Sequence, residues 1–103
     1  MDQDANNRND FRYKHRAKIL LETNFSGVFY QAKMFNYSSG GLYFESDYAP
    51  LPGTDIFISI ENSPYDFGAD IYRAQVRWRT ELPAKKSKYN FGVGVKHNLP
   101  QGR

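Results

Sequence analysis

The sequence of 103 residues contains no cysteine, so disulfide bonds and thiolate metal sites are excluded. It also lacks any apolar run that approaches the roughly 20 residues needed to cross a bilayer. Its first ten residues, MDQDANNRND, have neither an apolar core nor a small-residue cleavage site, so no signal peptide is predicted. These absences favour a soluble, cytoplasmic protein that does not insert into a membrane.

Positive charge is missing from the middle of the chain. No lysine or arginine occurs from residue 34 to residue 72, whereas six carboxylates fall in that segment. The basic residues form two clusters on either side, at residues 8–18 and 73–88. If folding brings these clusters together, they form a positive face suited to an anionic ligand. The alternative is two separate clusters that are simply solvated.

Catalytic motifs are missing as well. The two histidines, His15 and His97, lie far apart, and no H-E-x-x-H, G-x-S-x-G or phosphate-binding glycine loop occurs. No pair of carboxylates has a recognisable catalytic spacing. We therefore predict a protein that is not an enzyme and that needs neither a cofactor nor a metal ion.

The sequence does contain an alternation of large and polar residues with a period of two, which is typical of β-strands. Six such segments occur, at residues 17–23, 28–38, 41–46, 54–61, 69–81 and 89–97. Several short strands joined by turn-rich links favour an all-β fold, a small six-stranded antiparallel barrel. Closing the barrel removes sheet edges that a chain rich in large apolar residues would otherwise expose.

The alternation also predicts which side chains face the core. In the fifth segment Ala74, Val76 and Trp78 share the inner face, whereas Arg77 and Arg79 point outwards. On this basis we assign Trp78 to the core and not to a stacking surface for a ligand.

The barrel is expected to occupy most of the chain. We predict a flexible N-terminal tail at residues 1–10, the barrel domain at residues 11–98 and a C-terminal tail at residues 99–103. Pro100 and Gly102 oppose a helix in that last tail, so little or no C-terminal helix is expected.

Two short motifs lie about twenty residues apart. Arg12 and Arg16 give an R-x-x-x-R spacing just before the first predicted strand, and NYSSGG at residues 36–41 gives N-x-S-x-x-G. Together, in this order, they resemble the PilZ domain, a family that carries R-x-x-x-R followed by [D/N]-x-[S/A]-x-x-G. The resemblance covers roughly residues 8–97 and includes the segments LPGTDIFISI, AQVRWR and FGVGV.

This resemblance implies a split-barrel type of fold and a receptor for the bacterial second messenger cyclic di-GMP. The family's ligand-binding positions correspond here to Arg12, Arg16, Asn36, Ser38 and Gly41. The auxiliary residues we expect around them are Arg8, Lys14, His15, Gly40 and Arg77. The family also implies that binding changes the conformation of the N-terminal arm and signals to an effector protein in motility, exopolysaccharide or virulence control.

The residue types suit such a ligand. A guanidinium pairs with a phosphate through two parallel hydrogen bonds, or with the O6 and N7 acceptors of guanine. The amide of Asn36 suits the N1 and N2 edge of guanine, and Ser38 adds a compact hydroxyl. Gly41 has no Cβ, so a ligand can approach its backbone and a positive φ is allowed. We expect an arginine-bearing arm to close over these three residues.

The sequence departs from the family pattern in places. Phe11 stands where many members carry a further arginine, which favours a single bound ligand molecule, although Arg8 can compensate. Many members also end in a helix that covers one mouth of the barrel. Without it, the mouth would be covered by loops, by the N-terminal arm or by another chain, so we expect a homodimer or a contact with a partner protein.

Other interpretations stay open at this point. Arg12 and Arg16 can be ordinary surface charges, and Asn36 and Ser38 can make only local turn hydrogen bonds. A degenerate PilZ module would bind protein alone. A nucleic-acid-binding barrel of the OB type would need exposed aromatic residues on adjacent strands, but the acidic middle of the chain would repel a phosphate backbone, so nucleic acid is not the expected partner.

Overall fold

The computed structural model describes residues 12–23, 26–61 and 71–97. The predicted tails at residues 1–10 and 99–103, together with Arg8 and Phe11, lie outside these described residues. The described residues form six strands: β1 (Tyr13–Glu22), β2 (Tyr30–Ser38), β3 (Gly41–Ser46), β4 (Asp55–Ile60), β5 (Ile71–Glu81) and β6 (Phe91–His97). In this part of the chain we find no helix of the length and apolarity that a membrane crossing requires.

All neighbouring strands pair in the antiparallel direction, and the sheet closes into a barrel with the order β1-β2-β3-β6-β5-β4. The prediction of a six-stranded antiparallel β-barrel is confirmed. Because the barrel is closed, each of the six described strands has hydrogen-bonding partners on both sides, and none of them is left as an edge that could pair with another chain.

The core follows from the alternation of side chains along the strands. Its buried apolar residues are Ala17, Ile19, Leu21, Ala32, Met34, Leu42, Phe44, Ile56, Ile58, Ile60, Tyr72, Ala74, Val76, Val93 and Val95. Every strand contributes to this set, so the core is continuous along the inside of the barrel. Burial of this apolar surface is the main favourable contribution to folding.

Strand β1 begins earlier than the sequence indicated. Its first residue is Tyr13, so Arg16 lies within the strand and only Arg12 of the R-x-x-x-R motif precedes it. The prediction that the motif lies before the first strand is therefore wrong. The reason is pairing: Tyr13 and Lys14 form ladder partners with Tyr37 and Asn36 of β2, which extends β1 beyond its apolar run.

Three of the six strand pairings shift in register. The shifts lie between Lys14 and Ala17 in β1, between Met34 and Asn36 in β2, and between Val76 and Trp78 in β5. The other three pairings, β1–β4, β3–β6 and β4–β5, show no shift. A β-bulge of this kind adds a residue to one strand and reverses the inward and outward alternation beyond it.

The shift in β5 changes the position of Trp78. Arg77 is the extra residue, so Trp78 pairs with Gly94 on the outer face of the barrel, and its side chain is 45 % exposed. The prediction that Trp78 belongs to the core with Val76 is therefore wrong. The period-two pattern predicted the inward position of Val76 correctly but gave the wrong side for Trp78, because a bulge cannot be recognised from the pattern.

Candidate functional site

An open groove lies on the outer surface where the β2–β3 turn meets β5 and β6. Its volume is about 320 Å³, at the lower end of the range for small-molecule sites, roughly 300–1,000 Å³. The described residues that line it are Arg12, Ser38, Gly40, Gly41, Arg77, Trp78, Gly94, Val95 and Lys96. We call it the arginine groove.

Five of the site residues predicted from the sequence line this groove: Arg12, Ser38, Gly40, Gly41 and Arg77. Arg12 comes from the N-terminal basic cluster and Arg77 from the C-terminal one. The fold therefore brings the two clusters together at this place, and Lys96 on β6 adds a third positive charge. Such a concentration of positive charge favours an anionic ligand.

Arg12 and Asn36 are in contact at the exposed rim of the groove. Nη1 of Arg12 donates a hydrogen bond to Oδ1 of Asn36 over 3.4 Å. Asn36 reaches the rim because Phe35 is the extra residue of β2 relative to β3. The bulge places both Phe35 and Asn36 on the outer side of the strand, so the irregularity in β2 aims the asparagine amide at the site.

The second arginine of the motif lies beside the groove and not in its lining. Arg16 is exposed on β1, and its guanidinium carbon lies 5.6 Å from the centre of the Phe35 ring. Phe35 directly precedes Asn36, so the two arginines of the motif contact neighbouring residues of β2. Of the two arginines expected to close over the site, Arg12 therefore lines the groove and Arg16 lies beside it.

Ser38 shapes the β2–β3 turn. Its side chain is only 1 % exposed, and its hydroxyl accepts a hydrogen bond from the backbone N–H of Gly40 over 3.3 Å. This is the local turn hydrogen bond that the sequence left open as an alternative. Ser38 therefore borders the groove and also fixes the backbone next to it.

Gly41 is needed for a reason that sequence reasoning missed. Its φ lies outside the left-handed region, so the positive φ that a glycine allows is not used here. A Cβ on Gly41 would instead overlap the backbone carbonyl of Val95 on β6. The missing side chain allows β3 and β6 to pair closely at the floor of the groove.

Trp78 is the groove residue that sequence reasoning assigned wrongly. Its indole lies against β6 where a Cβ on Gly94 would stand, and Tyr43 lies in the same way over Gly92. The two rings stack with their centres 5.7 Å apart and their planes 23° from parallel. Two glycines on the outer face of one strand, beside strands that carry aromatic residues, are the signal that could have identified this arrangement.

Tyr43 is held in place by an acidic neighbour. Its hydroxyl donates a hydrogen bond to Oε2 of Glu45 over 3.0 Å. Burial, this hydrogen bond and the negative charge of Glu45 together raise the pKa of Tyr43 to about 12. The hydroxyl of Tyr43 is protonated near neutral pH, as that of an ordinary tyrosine also is, so the two stacked rings of Tyr43 and Trp78 carry no charge.

Two other predicted auxiliary residues lie close to the motif on β1. Lys14 is the ladder partner of Asn36, and the ring of His15 contacts that of Tyr37 edge-on, with the ring centres 6.1 Å apart. Neither residue lines the arginine groove. Arg8, the remaining auxiliary residue, lies outside the described residues.

His97 lies on the inner side of the site at the end of β6. It is 7 % exposed, and its backbone N–H donates a hydrogen bond to the carbonyl of Gly40 over 2.8 Å. Burial lowers the pKa of His97 to about 4. The imidazole is therefore neutral near pH 7 and adds no charge to the groove. No group of three or more metal-binding side chains occurs within residues 12–23, 26–61 and 71–97.

Comparison with models of known protein families gives a match to the PilZ domain over residues 6–102. The chain belongs to the PilZ domain family. The match covers nearly the whole chain, so the resemblance inferred from the two motifs is confirmed. No curated protein matches the chain.

Membership of the PilZ family indicates a module that binds cyclic di-GMP, since this is a receptor family and not a catalytic one. The arginine groove of this PilZ domain offers the chemistry that such a ligand needs. Arginine donors suit phosphate oxygens, the Asn36 amide suits the edge of a guanine, and the indole of Trp78 offers a flat surface for a purine.

Proposed function

We propose that this PilZ domain is a cyclic di-GMP receptor that binds the nucleotide across the arginine groove. Arg12 and Arg16 hold its phosphates, and Asn36 and Gly41 border one of its guanines. The observation that carries the proposal is that Arg12 donates a hydrogen bond to Asn36 and lines the same groove as Arg77, although the three residues come from distant parts of the sequence.

The hydrogen bond between Arg12 and Asn36 is weak enough for a ligand to replace it. Its hydrogen bond to Asn36 measures 3.4 Å, which is longer than the usual 2.7–3.2 Å for an N–H···O bond, and it is exposed to water. A phosphate accepts two shorter, charge-assisted hydrogen bonds from a guanidinium. Binding therefore moves Arg12 from Asn36 to the ligand and frees the amide for a guanine edge.

Arg16 can likewise exchange its present contact for a contact with the ligand. Its present partner is the ring of Phe35, and an exposed cation–π contact contributes about 0.5–1 kcal/mol. A hydrogen bond to a charged group contributes about 1.5–3 kcal/mol. The larger value favours the phosphate, so Arg16 leaves Phe35 when the nucleotide is bound.

The signal is a conformational change of the N-terminal arm, which is passed on to an effector protein. Because β1 begins at Tyr13, the arm consists of Arg12 and the segment that precedes it, whereas Arg16 moves only its side chain. A ligand that joins this arm to the barrel creates a new surface for a partner. Analytical ultracentrifugation with and without nucleotide tests whether that partner is a second copy of the chain.

Isothermal titration calorimetry with cyclic di-GMP tests the proposal, with GTP as a control. We expect Arg12→Ala and Arg16→Ala each to weaken binding about 10- to 100-fold, which corresponds to the loss of a charge-assisted contact. Arg73→Ala is the matched control, because Arg73 is an exposed arginine on β5 paired with Asp55 and does not line the groove. Unchanged affinity in both motif variants would overturn the proposal.

A second candidate function is binding of single-stranded nucleic acid, and the stacked Tyr43–Trp78 pair is the observation that favours it. Against it, Glu45 lies beside Tyr43 and would repel a phosphate backbone. A short single-stranded oligonucleotide is therefore included in the titration. Saturable binding of the oligonucleotide without binding of cyclic di-GMP would select this second candidate.

A further inference from the structure

A second groove lies on the outer surface of β1 and β2, and none of the described residues that line it also lines the arginine groove. Its lining is basic and aromatic, with four lysines and two aromatic residues: Lys18, Lys33, Lys86, Lys88, Phe35 and Tyr89. Leu20, which is 41 % exposed, adds further apolar surface. We call it the lysine groove.

One wall of the lysine groove is a fixed loop. The β5–β6 connection, residues 82–90, is tied to the end of β3 by side-chain hydrogen bonds. The hydroxyl of Ser87 donates to Oε1 of Glu45 over 2.6 Å, and the backbone N–H of Asn90 donates to Oδ1 of Asp47 over 2.9 Å. The wall that carries Lys86 and Lys88 is therefore held in position before any partner arrives.

The charge of the groove is unbalanced. The described residues that line it include four lysines but only two carboxylates, Glu45 and Glu61. Both oxygens of Glu45 already accept hydrogen bonds, from Ser87 and from Tyr43. Over the described part of the chain, none of the four lysines lies within ion-pair distance of a carboxylate. The groove thus has positive charge available for an acidic partner.

We propose that the lysine groove docks an acidic segment of a partner protein, an extended peptide with several carboxylates and one apolar side chain. The carboxylates pair with the lysines, and the apolar side chain packs against the exposed surface of Phe35, Tyr89 and Leu20. A concave surface with a raised wall suits a peptide better than a flat membrane. Glu45 and Glu61 interrupt the positive surface, which suits a short peptide with separated carboxylates better than the continuously charged backbone of a nucleic acid.

Phe35 connects this groove to the nucleotide site. Its ring lines the lysine groove, and it is also the present partner of Arg16 and lies 5.4 Å from Nζ of Lys33. Resting on the proposed function, we infer that nucleotide binding removes Arg16 from this ring and so changes the surface offered to the peptide. Because coupling between two binding sites is reciprocal, the peptide changes the affinity for the nucleotide by the same factor.

The docking is tested with a fluorescein-labelled twelve-residue peptide that carries four glutamates and one central tryptophan. Fluorescence anisotropy should show saturable binding, and a peptide with lysines in place of the glutamates should not bind. We expect Lys86→Glu to weaken binding about threefold and Lys18→Glu/Lys86→Glu about tenfold. Lys85→Glu is the matched control, because Lys85 is the exposed neighbour of Lys86 but does not line the groove. Equal affinity in all these variants, or no saturable binding, overturns the docking.

The same assay also tests two other possible ligands of the lysine groove. Vesicles containing anionic lipid and a short oligonucleotide are titrated against the same variants. Binding of either one that depends on Lys18 and Lys86, in the absence of peptide binding, overturns the assignment to an acidic peptide.

The coupling is tested by repeating the peptide titration with saturating cyclic di-GMP. We expect a change in peptide affinity of about two- to fivefold, the size of one exposed cation–π contact. We expect Arg16→Ala to abolish that change even when the nucleotide concentration is raised until it saturates this variant. Equal peptide affinity with and without bound nucleotide overturns the coupling but not the docking. If calorimetry detects no nucleotide binding, the proposed function and the coupling both fail, whereas the peptide titration without nucleotide still decides the docking.

Discussion

The regular and the shifted strand pairings of this barrel have different roles. The regular pairings, β1–β4, β4–β5 and β3–β6, keep strict alternation and join five of the six strands that supply the apolar core. The shifted pairings, β1–β2, β2–β3 and β5–β6, each contain an irregularity, and all three lie at or beside the arginine groove. The difference shows how a small barrel exposes Asn36 and Trp78 without giving up its core, because a bulge turns outwards side chains that regular alternation would direct inwards.

The largest loss of stability is expected from a substitution at Gly41, which lines the arginine groove and also belongs to the regular β3–β6 pairing. A Cβ there overlaps the backbone of Val95, and backbone atoms cannot move aside as a flexible side chain can. We expect Gly41→Val to lower the free energy of unfolding by about 3 kcal/mol or more, measured by urea denaturation.

Gly53→Ala is the control for Gly41→Val. Gly53 has a φ of 95°, and a Cβ there would meet nothing within 4 Å. The cost should therefore be only the backbone strain of a left-handed residue, about 1–2 kcal/mol. Equal losses at the two positions would contradict the close approach of β3 and β6.

The next effect concerns acid stability at the inner side of the site. Burial lowers the pKa of His97 from 6.5 to about 4 in the folded chain. Below pH 6.5 the unfolded chain binds a proton that the folded chain does not, so the free energy of unfolding falls as the pH is lowered towards 4. The loss from this residue is about 3 kcal/mol in total. Urea denaturation at several pH values measures it.

The His97→Gln variant should lose most of this dependence between pH 6.5 and pH 4. A parent-like slope in the His97→Gln variant would assign the acid sensitivity to other groups.

A smaller effect is expected where the aromatic rings cover β6. Gly94→Ala places a methyl group against the indole of Trp78, which must shift outwards. We expect a loss of about 1–2 kcal/mol in the free energy of unfolding and a change in tryptophan emission. The chain has a single tryptophan, so the emission reports this ring alone.

Gly92→Ala is the matched control for the emission change, because it disturbs Tyr43 in the same way but does not underlie Trp78. Its cost in stability should be similar, with a smaller change in emission. Identical spectra for the parent chain and the Gly94→Ala variant would contradict the position of the indole.

The smallest effect is expected on the regular side of the barrel. Arg73 and Asp55 form an ion pair of 3.2 Å between β5 and β4, and their side chains are 54 % and 39 % exposed. Arg73→Ala should lower the free energy of unfolding by less than about 1 kcal/mol, since water and salt screen such pairs. Thermal unfolding at two salt concentrations measures this, and a larger loss would mean that Arg73 has a structural role beyond the pair.

The fold could be predicted well from the sequence, and the site only in part. Strict alternation in DIFISI gave the inward positions of β4 correctly, because a regular strand has only two faces. The two motifs named Arg12 and Asn36, which lie in contact in the structure. They did not reveal that Arg16 lies on Phe35, or that the groove also includes Trp78 and Lys96.

By itself, the sequence determined the closed β-barrel, the PilZ family and the residue types that a phosphate-bearing ligand needs. These depend on local periodicity and on short spacings, which are properties of the chain alone. The tertiary structure decided which side of each strand faces the groove, because a bulge arises from the pairing of two strands. For the same reason, the outward position of Trp78 and the need for glycine at position 41 became visible only once β3, β5 and β6 lay side by side.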